Sequence, residues 1–256
     1  MLITSNDSSF HIRIDSSFRS LCPNFYGAAI CAEVENSLSS PALWEEISQY
    51  ERQLCDQFTT ETIKDRSGIA ATRLAYKAFG KDPSRYRPAC EQLARRVLQG
   101  KGLYKVNTIV DLVNLVSLAS GYSTAALDAD QIIGTQITLG IGEANEPYEA
   151  IGRGTLNIEH LPTYRDELGA FATPTSDSTR TMTSLNTTHL LVIINGYDGD
   201  HEAVKRASQL TIDLLEKYAH ATLRRTIFYE YRMTPIPHNF STGKRYPCEN
   251  LGQSNV

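Results

Sequence analysis

Residues 107–119 read NTIVDLVNLVSLA, and the fold turns on how that stretch is taken. Apolar side chains at 109, 110, 112, 113, 115, 116 and 118 cover most of a helix's circumference. A helix that is apolar nearly all round is a buried one. Asn107, Asp111, Asn114 and Ser117 interrupt the cover. At 3.6 residues per turn these four fall on one side. That polar edge has to be satisfied, because an unpaired buried polar atom costs about 1–3 kcal/mol. Two readings fit. In one, Asn107 caps the helix while Asp111 and Asn114 bond to neighbouring loops. In the other, the edge lines a polar pocket.

Working outward, Ser39-Ser40-Pro41 is a helix start, with Leu43, Trp44, Ile47, Leu54 and Phe58 following at helical spacing. A second helix is predicted over 67–79, stopped by Gly80. Pro88 opens a third, with Cys90, Leu93, Ala94, Val97 and Leu98 on one stripe and Gly100 and Gly102 at its end. Residues 10–36 and 128–152 read as strands, and 188–195 as a buried strand. A long helix is expected from Glu202 to Arg224, its end marked by Lys217, His220, Arg224 and Arg225. TIFYEY at 226–231 is a last strand. Helices and strands mix without regular βαβ alternation, so the class is α+β. One domain is expected over 1–235, followed by a loosely held polar tail at 236–256.

The 256 residues, 41% hydrophobic and 21% charged, can bury a sizeable core, which excludes a disordered chain. No run reaches the roughly 18 apolar residues of a membrane span. The N-terminus has no basic start leading into an apolar stretch, so a cytoplasmic protein without membrane contact is expected. The net charge of −4 argues against a protein that grips duplex DNA. Cys22, Cys31, Cys55, Cys90 and Cys248 are odd in number and lack CxxC spacing, and the six histidines are scattered. No metal and no cofactor are expected. Gly140/Gly142 and Gly152/Gly154 complete no dinucleotide fingerprint, and Lys205 stands where a zinc motif opening at His201-Glu202 needs its second histidine.

Two further segments bear on chemistry. Residues 173–188, TPTSDSTRTMTSLNTT, are dense in hydroxyls around Asp177 and Arg180. Composition alone makes them a solvated, mobile loop; functionally they suit recognition of a ribose, carboxylate or phosphate. No His or Lys base stands beside a particular Ser, so a covalent nucleophile has no support. The basic residues Arg85, Arg87, Arg95, Arg96, Lys101 and Lys105 flank the third helix. They form either a solvated face or, with Tyr86 and Tyr104, a contact for a single-stranded nucleic-acid end.

DPSRYRPACEQLARRVLQGKGLYKVNTIVDLVNLVSL at 82–118, YEAIGRG at 148–154, Asp177-Ser178-Thr179-Arg180-Thr181 and HLLVIINGYDG at 189–199 follow in an order that resembles the B3/B4 domain. That domain lies in the β subunit of phenylalanyl-tRNA synthetase and also occurs as freestanding proteins. The resemblance spans roughly residues 25 to 232. Its core is N-x-x-V-D-x-x-N, here Asn107, Val110, Asp111 and Asn114. Ser39-Ser40-Pro41 with Leu43-Trp44-Glu45-Glu46 matches the freestanding type.

The resemblance implies helices packed around an unusual β-sandwich. It implies an editing-type domain that hydrolyses a mischarged aminoacyl-tRNA ester in trans with a positioned water. The alternatives are a non-catalytic module for tRNA, an amino acid or a protein, and a hydrolase for a small ester or amide. With no ATP motif, a complete ligase is excluded. The catalytic candidates are Asp111, Asn114, Asp177 and Arg180, with Asp177 receiving an ammonium group and Arg180 a phosphate or carboxylate. Asn107, Thr108, Ser178 and Thr181 are the substrate-binding candidates. Arg95, Arg96, Lys101 and Lys105 are expected to hold the tRNA 3′ end weakly. Synthetase domains carry a His in P-x-H-A-F-D and a Glu on the strand matching HLLVIIN; here Ala125 and Ile193 stand there. The groups that bond a tyrosine hydroxyl are thus missing, and tyrosine is not the expected substrate.

Overall fold

A computed structural model describes residues 10–230; the expected tail at 236–256 and Cys248 lie outside them. The chain runs β1 (His11–Ile14), α1 (Ser16–Leu21), β2 (Tyr26–Glu33), α2 (Pro41–Gln57), α3 (Ser67–Ala78), α4 (Ala89–Leu98), α5 (Thr108–Ser120), β3 (Ser123–Asp128), β4 (Gln136–Ile141), β5 (Glu149–Ala150), β6 (Gly154–Thr155), β7 (Pro162–Arg165), β8 (Ala170–Ala172), β9 (His189–Gly196), α6 (His201–Ala219) and β10 (Thr222–Glu230). Short 3-10 turns cover Ile63–Asp65, Ala129–Gln131 and Thr179–Thr181.

Two four-stranded sheets, ordered β10-β2-β9-β3 and β1-β4-β7-β8, face each other, and neither closes into a barrel. β9 is buried on both sides, which is why its sequence is an unbroken apolar run. Leu191 and Ile193 point into the sandwich with Ala29, Ala125 and Leu127, against Ile137, Leu139, Tyr164 and Phe171 of the second sheet. Leu190, Val192 and Ile194 point the other way, with Ala28 and Ile30, into a layer made by α2, α4, α5 and α6. The architecture is α+β, with helices packed on a β-sandwich.

α5 is the centre of that helical layer. Ile109, Leu112, Leu115, Val116 and Leu118 are at most 1% exposed, and each such side chain contributes about 1.5–3 kcal/mol by burial. Gly121, at φ 80°, ends the helix in the left-handed region that favours glycine, and the chain turns directly into β3. Arg66 closes the last turn of α5 by donating to the Leu118 carbonyl at 2.6 Å and to that of Ala119.

Two expectations need correction. The strand region 10–36 contains the helix α1, capped by Asp15 and held by fully buried Phe18. The long helix ends at Ala219 rather than Arg224: His220 takes φ 47°, and Arg224 and Arg225 lie on β10, the strand that pairs with β2. The basic residues there mark a strand edge and not a helix terminus.

Candidate functional site

The polar edge of α5 divides between the two readings. Asn107 is the N-cap, its Oδ1 accepting from the Val110 amide at 3.0 Å. Thr108 is buried, its Oγ1 3.1 Å from the Ser37 hydroxyl. Asp111 accepts from Ser39 Oγ at 2.6 Å, from Trp44 Nε1 at 3.2 Å and from the Val106 amide at 2.9 Å. Burial pushes its carboxyl above the usual range, and these donors offset part of that. Ser117 accepts from the Thr124 amide at 3.0 Å. Asn114 reaches an open groove, and among the described residues no hydrogen bond engages its amide, whereas Asp111 lines a neighbouring cleft with its carboxylate already engaged.

The groove has a volume of about 920 Å³. Its floor is Val110, Val113 and Asn114 of α5 with Thr124 and Ala126 of β3. One wall is α4 and the segment after it, carrying Gln92, Arg95, Arg96, Lys101 and Tyr104. The other is Ile151–Arg153, between β5 and β6, with Thr175, Ser176, Asp177, Met182 and Thr183. Arg153 and Gln92 hydrogen-bond to each other and join the walls. Five cations line this groove (Arg87, Arg95, Arg96, Lys101 and Arg153) and Asp177 is its one acid, although the chain as a whole is anionic. A cleft lined by one sign of charge concentrates ligands of the other.

Two atoms stand out. Asp177 Oδ1 and Arg96 Nε are both inaccessible, and among the described residues neither has a hydrogen-bond partner. Burial pushes Asp177 up to about 7, with a backbone hydrogen bond at Thr173 partly opposing it. The Arg96 guanidinium lies 3.8 Å from the centre of the Tyr104 ring. Arg95 is held by Glu91 at 2.8 Å and by the Thr60 carbonyl at 2.7 Å, and Glu91, wholly buried, also binds Arg73 at 2.8 Å. This acid fixes the basic wall from behind.

The hydroxyl-rich segment is not a solvated loop. Thr173, Thr175, Ser178, Thr181, Thr183 and Thr187 are buried. Thr175 Oγ1 lies 2.8 Å from Tyr76 Oη and donates to the Tyr86 carbonyl at 3.2 Å. Ser178 accepts from the Arg180 amide, and Thr181 donates to the Phe171 carbonyl. Arg180 points away from the groove and grips Asp166 with two bonds of 2.9 Å. Burial works against ionising Asp166, yet Arg180 and the surrounding amides hold it below the usual carboxylate range. These hydroxyls fix the loop, and Asp177 lines the groove with one carboxyl oxygen shut away from solvent. Lys105 is likewise separated from its expected partners: it lies 4.6 Å over the Trp44 ring, in a neighbouring cleft.

The structure therefore brings together Asn114, Asp177, Arg95, Arg96 and Lys101. It places Asn107, Thr108, Asp111, Ser178, Thr181 and Arg180 in the frame around them. Gln92, Thr124, Ala126 and Arg153 also line the groove; Arg153 lies in the YEAIGRG segment, and the other three carry no signal in the sequence. Ala125 and Ile193 pair directly across β3 and β9, and both point into the sandwich core. Among the described residues no group of three or more His, Cys, Asp or Glu is placed to hold a metal ion, and no helix is long and apolar enough to cross a membrane.

A family model described as the B3/4 domain matches residues 71–220, more than half of the chain. No curated protein matches.

Proposed function

This chain belongs to the B3/4 domain family, associated with tRNA binding and editing in the phenylalanyl-tRNA synthetase β subunit, and we propose that its groove takes the 3′ end of an aminoacyl-tRNA and hydrolyses the ester in trans. The observation that carries this reading is the pair of buried, unpartnered atoms of opposite kind. Asp177 Oδ1 needs a donor and Arg96 Nε needs an acceptor. An aminoacyl nucleotide offers both, an ammonium at one end and phosphates at the other. Asp177 receives the ammonium, and the added positive charge favours its ionised form. Arg96, with Lys101 and Tyr104, receives the phosphate and a stacked base.

Among the described residues no histidine lines the groove, so no hydroxyl there has a described imidazole base to activate it. Water attacks the ester carbonyl, the bond to the ribose oxygen breaks, and that oxygen takes a proton. The free Asn114 amide is placed to orient the water or the carbonyl, and orientation is a large source of acceleration for an already activated ester. Asp111 and Arg180 act on this site by holding α5 and the 173–183 segment. Ala125 and Ile193 point into the sandwich core, away from the groove, so the groove's own lining decides which aminoacyl group fits. The alternative is a module that binds this end without cleaving it.

Binding tests the groove itself. Affinity for tRNA falls with salt, and Arg96→Ala with Lys101→Ala lowers both the affinity and its salt slope, by about 0.7 for each single-strand phosphate that is no longer neutralised. An unchanged slope in the double variant would remove the groove from tRNA recognition.

A further inference from the structure

Beside the groove lies a second cleft of about 630 Å³ that the family match does not reach on its α2 side. Its walls are Leu38, Pro41 and Trp44 from the start of α2, and Lys105 and Val106 from the segment leading into α5. Val106 lines both cavities, so one ridge of backbone at 104–106 separates them. On the groove side of the ridge, Tyr104 carries the Arg96 guanidinium; on the other side, Trp44 carries the Lys105 ammonium. The chain thus repeats an aromatic ring with a cation over its face on either side of two adjacent residues.

We propose that this cleft is a second nucleotide subsite, which takes an unpaired base of the same single strand, next in line behind the nucleotide held in the groove. The proposal rests on the reading of the groove given above. Asp111 accepts from the Trp44 indole N–H, which fixes the ring against the helical core; its outer face carries the Lys105 ammonium, and a base stacks there as Lys105 swings out to the connecting phosphate. Leu38 and Val106 are 74% and 52% exposed, an unusual amount of uncovered apolar surface at one spot, and an apolar wall suits a base edge-on to solvent. Lys105 supplies the charge for the connecting phosphate. Glu45 at the rim is the one free acid in the cleft, and a base stacked on Trp44 places its phosphate on the Lys105 side. A protein side chain would use the apolar walls alone and leave Lys105 without a role.

Trp44 is the only tryptophan in the chain, so its emission reports on this cleft directly. The probes are adenosine 5′-monophosphate and the RNA tetranucleotide ACCA, followed by calorimetry and by Trp44 fluorescence. The tetranucleotide is expected to quench Trp44 and to bind roughly tenfold or more tightly than the mononucleotide, in line with stacking and one added phosphate. Leu38→Glu and Lys105→Ala remove most of that gain while leaving mononucleotide affinity within twofold. Tetranucleotide binding with unchanged Trp44 emission and no loss in either variant would overturn the second subsite and leave the groove reading intact. Loss of mononucleotide binding in neither Arg96→Ala nor Lys101→Ala, or no binding of either probe, would overturn the groove reading and this one with it.

Discussion

Replacing Asp177 by Asn keeps the side chain's shape and removes its charge, and the structure gives opposite consequences for stability and for function. Burial pushes the Asp177 carboxyl from 3.8 to about 7. The folded chain therefore binds this proton more tightly than the unfolded chain does, and stability contributed at this position falls as pH rises from about 4 to about 7, then stays level. At about 1.4 kcal/mol per pH unit, the full cost at pH 8 is at most about 4 kcal/mol. At pH 4 the cost is only about 0.6 kcal/mol. Asp177→Asn should thus be more stable than the wild type at pH 8 by up to about 4 kcal/mol and nearly equal to it at pH 4. Urea unfolding followed by Trp44 emission at pH 4, 6 and 8 measures this difference. The same variant should bind an aminoacylated end worse, since it loses the acceptor for the ammonium. Stability gained with function lost marks a residue kept for its chemistry. Equal stability of the two proteins at pH 8 would mean that Asp177 is ionised and already paired, and the ligand argument built on its orphaned oxygen would fail.

Asp111→Ala strips three donors of their acceptor, at about 1–3 kcal/mol each, and should lower the unfolding midpoint sharply; an undisturbed midpoint would deny Asp111 its framing duty. Arg180→Ala takes the counter-ion from the buried Asp166 carboxylate, which keeps its amide donors, and should cost up to about 3 kcal/mol at neutral pH. Because Arg180 holds Asp166 low, that loss should shrink as pH falls through the Asp166 range, which a pH series of melting curves checks. Ala125→His forces a larger polar ring into the sandwich core and should destabilise by about 1–3 kcal/mol; a stable variant that gained activity on tyrosyl-tRNA would show that the position faces the substrate.

The parts of the fold legible in the sequence are those with local causes. α5 announces itself by its apolar cover and its Asn107 cap, α2 by Ser40 and Pro41, and β9 by an apolar run that is buried on both faces. The end of α6 is not legible, because Lys217 and His220 suit a helix terminus while the strand that follows is decided by its pairing with β2, a partner nearly two hundred residues away. The site is legible as a set of residue types but not as a place. Periodicity puts Asp111 and Asn114 on one side of a helix. It cannot show that Ser39 and Trp44 come from α2 and its approach to occupy one of them and that nothing comes to the other. Composition makes 173–188 polar, yet its hydroxyls turn inward because Tyr76, Tyr86 and Phe171 offer partners there. The orphaned Asp177 oxygen depends wholly on these long-range partners.

The most direct measurement is single-turnover deacylation of a panel of aminoacyl-tRNAs by the wild type, Asp177→Asn and Asn114→Ala. The account predicts that at least one aminoacyl-tRNA is cleaved well above background by the wild type, and that both variants lose most of that rate while remaining folded. Cleavage of none would contradict the hydrolytic claim.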